Sequence, residues 1–332
     1  MVLANKLKKD DTIAFFSPSS PITATAPKRF QRAVEFLRGQ GFNVIGGNLT
    51  GKSDFYRSGT IKQRAEELNN LIRDTNIQCI ISTIGGMNSN SLLPYIDYDA
   101  LARNPKVIIG YSDMTAILLA IYAQTGLVTY YGPALVATFG ELPPYCDMAF
   151  EYFCDILVNP KKSPFTLPTP PFWTEEFIPW EEQNRPKNHR DNVHITLNSG
   201  IASGRLVGGN LNTMQGIWGS PYMPEICEGD ILFIEDSLKD IATVERSFSM
   251  LKINGVFDRI GGLILGKHEL FDDGGTGRKP YEVLMEVIRT PRCPILADFD
   301  CAHTHPMLTL PIGCEAELNT ANGLTLNSNW IG

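Results

Sequence analysis

The chain of 332 residues lacks most of what would tie it to nucleic acid, to a bilayer or to a metal. The formal net charge is −7 and no Lys/Arg-rich run interrupts it, which argues against nucleic acid as a partner. The most apolar helical stretch, Met114 to Ala123, is too short to cross a membrane. Met1 to Asp11 is polar and lacks an apolar core, so no secretion signal is expected. Cysteine is sparse and unpatterned: Cys79, Cys146, Cys154, Cys227, Cys293, Cys301 and Cys314 are odd in number and never at CxxC spacing. They read as reduced, mostly buried thiols of a cytoplasmic protein. No HExxH occurs, and no Gly-Lys-Ser/Thr follows the glycine pairs, so neither a zincin site nor a Walker A loop is present. Histidine is scarce too. Five residues (His189, His194, His268, His303, His305) are the whole supply of imidazole bases.

What is present is alternation. Thr12 to Phe16 reads as a buried strand, Pro27 to Arg38 as an amphipathic helix, Phe42 to Ile45 as a strand and Ile61 to Ile72 as a helix. Cys79 to Thr83 is a further strand, running into Gly85-Gly86. Repeated βα units predict a doubly wound, mostly parallel α/β sheet over residues 1–160, with functional residues on loops at the carboxyl ends of strands. Residues 161–190 are crowded with proline and carry Phe172, Trp173, Phe177 and Trp180, which predicts a linker and an ordered loop with exposed aromatics. Residues 191–332 mix strand signals (His194–Leu197, Gly204–Val207, Ile231–Ile234, Leu263–Leu265, Ile295-Leu296) with helices over Thr243–Lys252 and Tyr281–Arg289. A closing hairpin turns at Asn322-Gly323, so this half is expected to be an α+β or barrel-like domain.

The segment Pro105 to Ala116 is the most specific piece of chemistry. A β-branched run ends at Gly110, Tyr111-Ser112 follows, and a helix-forming stretch begins at once. Strand, sharp turn and helix is the geometry of a nucleophile elbow, which lifts a serine oxygen clear of the sheet beside free N–H groups. Met114 stands where a second glycine would complete G-x-S-x-G, and Ser112 alone would also serve as a helix cap. A serine nucleophile needs a base, an orienting acid and an oxyanion hole. His303 and His305 lie in the loop Asp298 to Pro306, His268 follows a strand end, and His189 and His194 read as solvent-facing beside the linker. Glu235, ending a strand, suits the acid, though a solvated helix-preceding residue reads the same way. The turn Gly85-Gly86-Met87-Asn88 is placed to present amides to an oxyanion, or is only a tight turn. Two other chemistries remain open on spacing alone. His-x-His with Asp298 or Asp300, or with His268, Glu269 and Asp272, would suit a metal, and Cys301 would suit a thiol nucleophile.

The segments STIGGMNSNSLLPYIDYDA, IIGYSDMTA, TYYGPAL, GGNLNT, ILFIEDS, LGKHELFD and CAHTHPMLTLPIG span nearly the whole chain in order. Together they resemble the LD-carboxypeptidase family of serine peptidases, in its microcin C immunity branch. The resemblance implies Ser112 as nucleophile, Glu235 as acid and His303 as general base, with the amides of Gly86, Met87 and Asp113 as oxyanion hole. It implies Glu269, in KHELFD, at the aminoacyl end of the substrate, with Lys267 and Asn212 also binding substrate. Trp173 or Trp180 is then the residue that covers a nucleotide, since a purine offers a flat face for stacking. No metal and no cofactor is expected, and the working unit is expected to be a homodimer. The implied substrate is a small peptidyl- or aminoacyl-nucleotide, cut at the amide between aspartate and the nucleotide. Release of terminal D-alanine from a murein tetrapeptide is the alternative. A non-catalytic protein that sequesters a nucleotide is a third reading, but it has no use for a triad.

Overall fold

Apolar runs without helical period become the buried strands of two sheets. The computed structural model describes residues 1–332. In the first sheet β1 (Thr12–Phe16), β2 (Asn43–Gly46), β3 (Cys79–Ser82), β4 (Val107–Gly110) and β5 (Thr129–Tyr131) lie parallel in the order β5-β4-β3-β1-β2. The chain winds one way from β1 to β2 and the other way from β3 to β5, so the carboxyl ends of β1 and β3 flank the switch point where such sheets open a crevice. The crossover helices follow from local signals. Thr60 and Gln63 form a reciprocal capping box at the start of the helix Ile61–Arg73. The helix Thr115–Thr125 is apolar nearly all round, buries its first seven residues and stops at Gly126 with φ of 69°.

Three short strands follow in the proline-rich stretch and its exit: β6 (Phe165–Thr166), β7 (Phe172–Trp173) and β8 (Arg190–Asp191). The second half supplies β9 (Ile195–Asn198), β10 (Ile201–Asn210), β11 (Ile231–Glu235), β12 (Gly262–Gly266), β13 (Ile295–Phe299), β14 (Leu310–Ile312), β15 (Glu315–Asn319) and β16 (Gly323–Leu326). The second sheet has eight strands in the order β6-β16-β15-β10-β11-β12-β13-β9, parallel from β10 to β13 and antiparallel at both flanks. The α+β expectation is thus met by an open mixed sheet and not by a closed barrel.

The sheets do not divide cleanly at the expected residues. β14, from the second half, joins the first sheet as an antiparallel edge against β5, and β6, from the linker, extends the second sheet. The chain between β13 and β14 therefore passes from one sheet to the other, and His303 sits on that passage. Trp330 is a further tie, buried with its indole N–H donated to the Ile156 carbonyl at 2.9 Å. Of the linker aromatics expected to stand exposed, only Phe177 does; Phe172, Trp173 and Trp180 are half-buried.

Candidate active site

β4 delivers the elbow. Gly110 pairs with Tyr131 of β5, and Ser112, two residues on, is held at φ of 61°, a left-handed conformation that non-glycine residues rarely adopt. Its N–H donates to the Tyr131 hydroxyl at 3.1 Å, and its carbonyl accepts from Thr115 Oγ1 at 2.6 Å. The neighbouring Gly85 has no side chain for a reason. A Cβ there would lie 2.7 Å from Ser112 Cβ and 2.8 Å from its Oγ.

Ser112 and His303 line one cavity of about 370 Å³ between the sheets, with Glu235 buried behind the imidazole. His303 Nδ1 lies 2.8 Å from Glu235 Oε2. The other carboxylate oxygen accepts from the Tyr131 hydroxyl at 2.5 Å and from Asn210 Nδ2 at 2.9 Å. Register explains the second donor, since Asn210 is the β10 partner of Glu235. A glycine at 266 leaves the room, because a Cβ there would meet Glu235 Cβ at 2.7 Å. Burial opposes ionisation of Glu235, but the charge and hydrogen bond of His303, with the Tyr131 and Asn210 donors, outweigh it and hold its pKa below the ordinary value. An ionised carboxylate only accepts, so Nδ1 carries the proton and Nε2 is the basic nitrogen. For His303 burial pulls the pKa down, yet Glu235 by charge and hydrogen bond, then Glu269 and Asp236, raise it on balance. Tyr111 fixes the ring from another side, edge to face at 4.9 Å.

The amides expected at the oxyanion hole lie beside Ser112. Gly86 and Met87 line the cavity, and none of the Gly86, Met87 and Asp113 N–H groups is used in the protein's backbone hydrogen bonds. The Asp113 carboxylate ties this loop to the elbow, accepting from the N–H groups of Asn88 at 3.0 Å and Ser89 at 2.9 Å and from the Ser19 hydroxyl. Ser112 N–H is already committed to Tyr131 and takes no part.

The expected substrate residues separate into two groups. Glu269, Asn212 and Trp180 line the cavity; Lys267 and Trp173 do not. The Lys267 ammonium is buried and spent on the Asp298 carbonyl and Asp300 Oδ1, each at 2.6 Å, with the Trp173 ring 5.4 Å away. Trp180 instead lays its ring against the Arg29 guanidinium at 4.4 Å. Burial raises the Glu269 pKa, partly offset by His303 and Lys187. The remaining histidines take other roles. His194 is not solvent-facing: its Nε2 lies 2.8 Å from buried Asp300, a partner no local pattern discloses. His268 is pushed down to about 4 by burial and accepts the Lys239 N–H at 3.3 Å. His305 is buried and held well below its ordinary pKa by that burial and by Lys187. Burial pushes the Cys301 thiol far up, which removes it as a nucleophile at neutral pH. Asp300, one of the metal-ligand candidates, is occupied by Lys267, His194 and Asn192.

Tyr131, Asn210, Lys239 and Lys187 are the site residues that the sequence reading missed. The first two adjoin recognised elements, and strand register was the missing signal. Lys187 sits in an aperiodic loop with no signal at all.

A strained serine at a strand-to-helix turn, sharing one α/β cavity with an imidazole–carboxylate pair, has the makings of a serine hydrolase. Family comparison agrees and is more specific. Residues 13–132 match the LD-carboxypeptidase N-terminal domain, and residues 203–318 match the LD-carboxypeptidase C-terminal domain. The chain belongs to the LD-carboxypeptidase family of serine peptidases. It is 57% identical over 323 residues to the microcin C7 self-immunity protein MccF of Escherichia coli, covering 97% of this chain and 94% of that one. A putative carboxypeptidase of Vibrio cholerae is 56% identical over 332 residues, covering 100% and 99%. The solved structure of MccF in complex with aspartyl sulfamoyl adenosine superposes with a TM-score of 0.98 at 55% identity, over 100% of both chains.

Proposed function

We propose that this peptidase hydrolyses the amide joining aspartate, or a peptide ending in it, to a nucleotide, and so detoxifies mimics of aminoacyl-adenylates. The carrying observation is the cavity, which combines a serine, an imidazole backed by the Glu235 carboxylate, and unused loop amides with an acid, Glu269, and an aromatic wall, Trp180. The MccF structures with aspartyl sulfamoyl adenosine and with glutamyl sulfamoyl guanosine, at 55% identity, support the substrate class.

In this reading Ser112 Oγ attacks the scissile carbonyl carbon as its proton passes to His303 Nε2, and Glu235 holds the resulting imidazolium through Nδ1–H. The tetrahedral oxyanion is received by the Gly86 and Asp113 amides, with Met87 N–H adjoining. His303 returns the proton to the leaving nitrogen, the C–N bond breaks and an acyl-Ser112 ester remains. Water, deprotonated by His303, then releases aspartate and restores the hydroxyl. Glu269 receives the substrate's ammonium, Asn212 adds a polar contact, and Trp180 stacks on the base.

No helix of the protein is long and apolar enough to cross a membrane. We place the enzyme in the cytoplasm, where its unpaired thiols stay reduced, and take the family's homodimer as its working form, which sedimentation velocity reads directly. The substrate test is mass spectrometry of products from processed microcin C and, separately, from a murein tetrapeptide. Free aspartate released over many turnovers from the first supports the proposal. D-alanine from the tetrapeptide, with the nucleotide compound untouched, makes this a murein carboxypeptidase.

A further inference from the structure

The cavity contains a cation with donors to spare. The Lys187 side chain is 5% exposed and lines the cavity, and its one ion-pair partner is Glu141 Oε2 at 3.3 Å. That carboxylate is already engaged. Arg29 Nη2 reaches the same oxygen at 2.9 Å, and the other oxygen accepts from Gln183 Nε2 and from the Leu142 N–H. Two cations, Arg29 and Lys187, thus share one buried anion. An ammonium has three donors, so one shared carboxylate oxygen leaves donors of Lys187 free for a ligand in the cavity.

His305, 6% exposed, lines the same cavity. Glu269 completes the arrangement by lining the same cavity as Lys187. Lys239, the cavity's other lysine, already has Asp236 at 3.8 Å. Opposite charges on the wall of one cavity complement a ligand bearing an ammonium and a carboxylate on neighbouring carbons.

We propose that Lys187 is a specificity residue, receiving the side-chain carboxylate of the acyl amino acid while Glu269 takes its ammonium. The inference rests on the aminoacyl-nucleotide reading above. It makes the enzyme selective for acidic acyl residues, because an amide in the same place leaves the Lys187 charge unanswered.

The test compares aspartyl and asparaginyl adenosine phosphoramidates, which differ only in the side-chain carboxylate. Wild-type enzyme is expected to prefer the aspartyl compound by roughly 10- to 100-fold in kcat/KM, the range of one charged hydrogen bond. In Lys187→Met that ratio is expected to collapse towards one. Because both substrates meet the same preparation, a loss of folded protein cancels from the ratio. Absence of preference in the wild type, or a Lys187→Met variant that keeps the preference while losing rate on both, overturns the proposal. If wild type cleaves neither compound, the aminoacyl-nucleotide reading itself fails and this inference falls with it.

Discussion

Replacing Tyr131 by phenylalanine removes one oxygen from the centre of the site, and the structure says what should follow. That hydroxyl receives the Ser112 N–H at 3.1 Å and donates to Glu235 Oε1 at 2.5 Å, so it joins the strained elbow to the acid. Burial raises its pKa well above the ordinary value, so it remains a donor at any working pH. Phenylalanine fills the same space, and the ring packing on Phe233 at 5.4 Å is retained. Two effects remain. The part-buried Ser112 amide loses its partner, which costs about 1 kcal/mol, the low end for an orphaned group, since it borders the cavity. Glu235 loses a charge-assisted bond worth about 1.5–3 kcal/mol, leaving Asn210 as the donor to that oxygen. Part of that sum appears as stability, lowering the denaturant midpoint. The rest appears in the transition state, where Glu235 must hold an imidazolium, and kcat should drop by roughly 10- to 100-fold with KM little changed. Steady-state kinetics on material verified as folded by circular dichroism reads both. A Tyr131→Phe enzyme within twofold of wild type in kcat would refute the claim that this hydroxyl organises the nucleophile and the acid.

Further outcomes follow from the same geometry. His303 must be neutral to act as base and its pKa is raised, so the acidic limb of kcat/KM should have its midpoint above 6.5. Glu235→Gln should move that limb down while cutting kcat by about 10³-fold or more, and an unmoved limb in the variant would contradict the assignment. The linked stability has a sign. The His303 contribution is full below pH 6.5 and is lost as pH rises through its raised folded value. Gly85→Ala should abolish turnover by driving a methyl group to 2.7 Å from Ser112 Cβ, as assayed alongside a thermal melt, while its neighbour Gly86 still lines the cavity. Trp180→Ala should raise KM for a nucleotide substrate by roughly 10- to 100-fold, and an unchanged KM would show that the ring only anchors Arg29.

The elbow was legible because its determinants are local: a β-branched run, a glycine, a serine and a helix in twelve consecutive residues leave little choice of backbone. Glu235 was legible as a strand-end carboxylate, though nothing nearby told it from a solvated acid. The choice of His303 over His305 came from family resemblance and not from spacing. Structure supplies the physical reason they differ: one ring faces ionised Glu235, while the other is buried where burial and Lys187 keep it neutral. What stayed hidden depends on long-range pairing. His194 looked exposed because Asp300 lies 106 residues away, and Lys267 looked available because its acceptors also lie on the β13 exit. The migration of β14 into the first sheet left no trace in local periodicity, since Leu310–Ile312 is only three residues long. Yet that migration is what carries His303 between the sheets.

The most direct test of the central claim is turnover by Ser112→Ala. Purified enzyme and variant are each incubated with processed microcin C, and free aspartate is counted by mass spectrometry against enzyme concentration. Ser112 acting as nucleophile predicts many equivalents from the wild type and none from a variant of unchanged melting temperature. Sustained release of aspartate by that variant would contradict the serine mechanism.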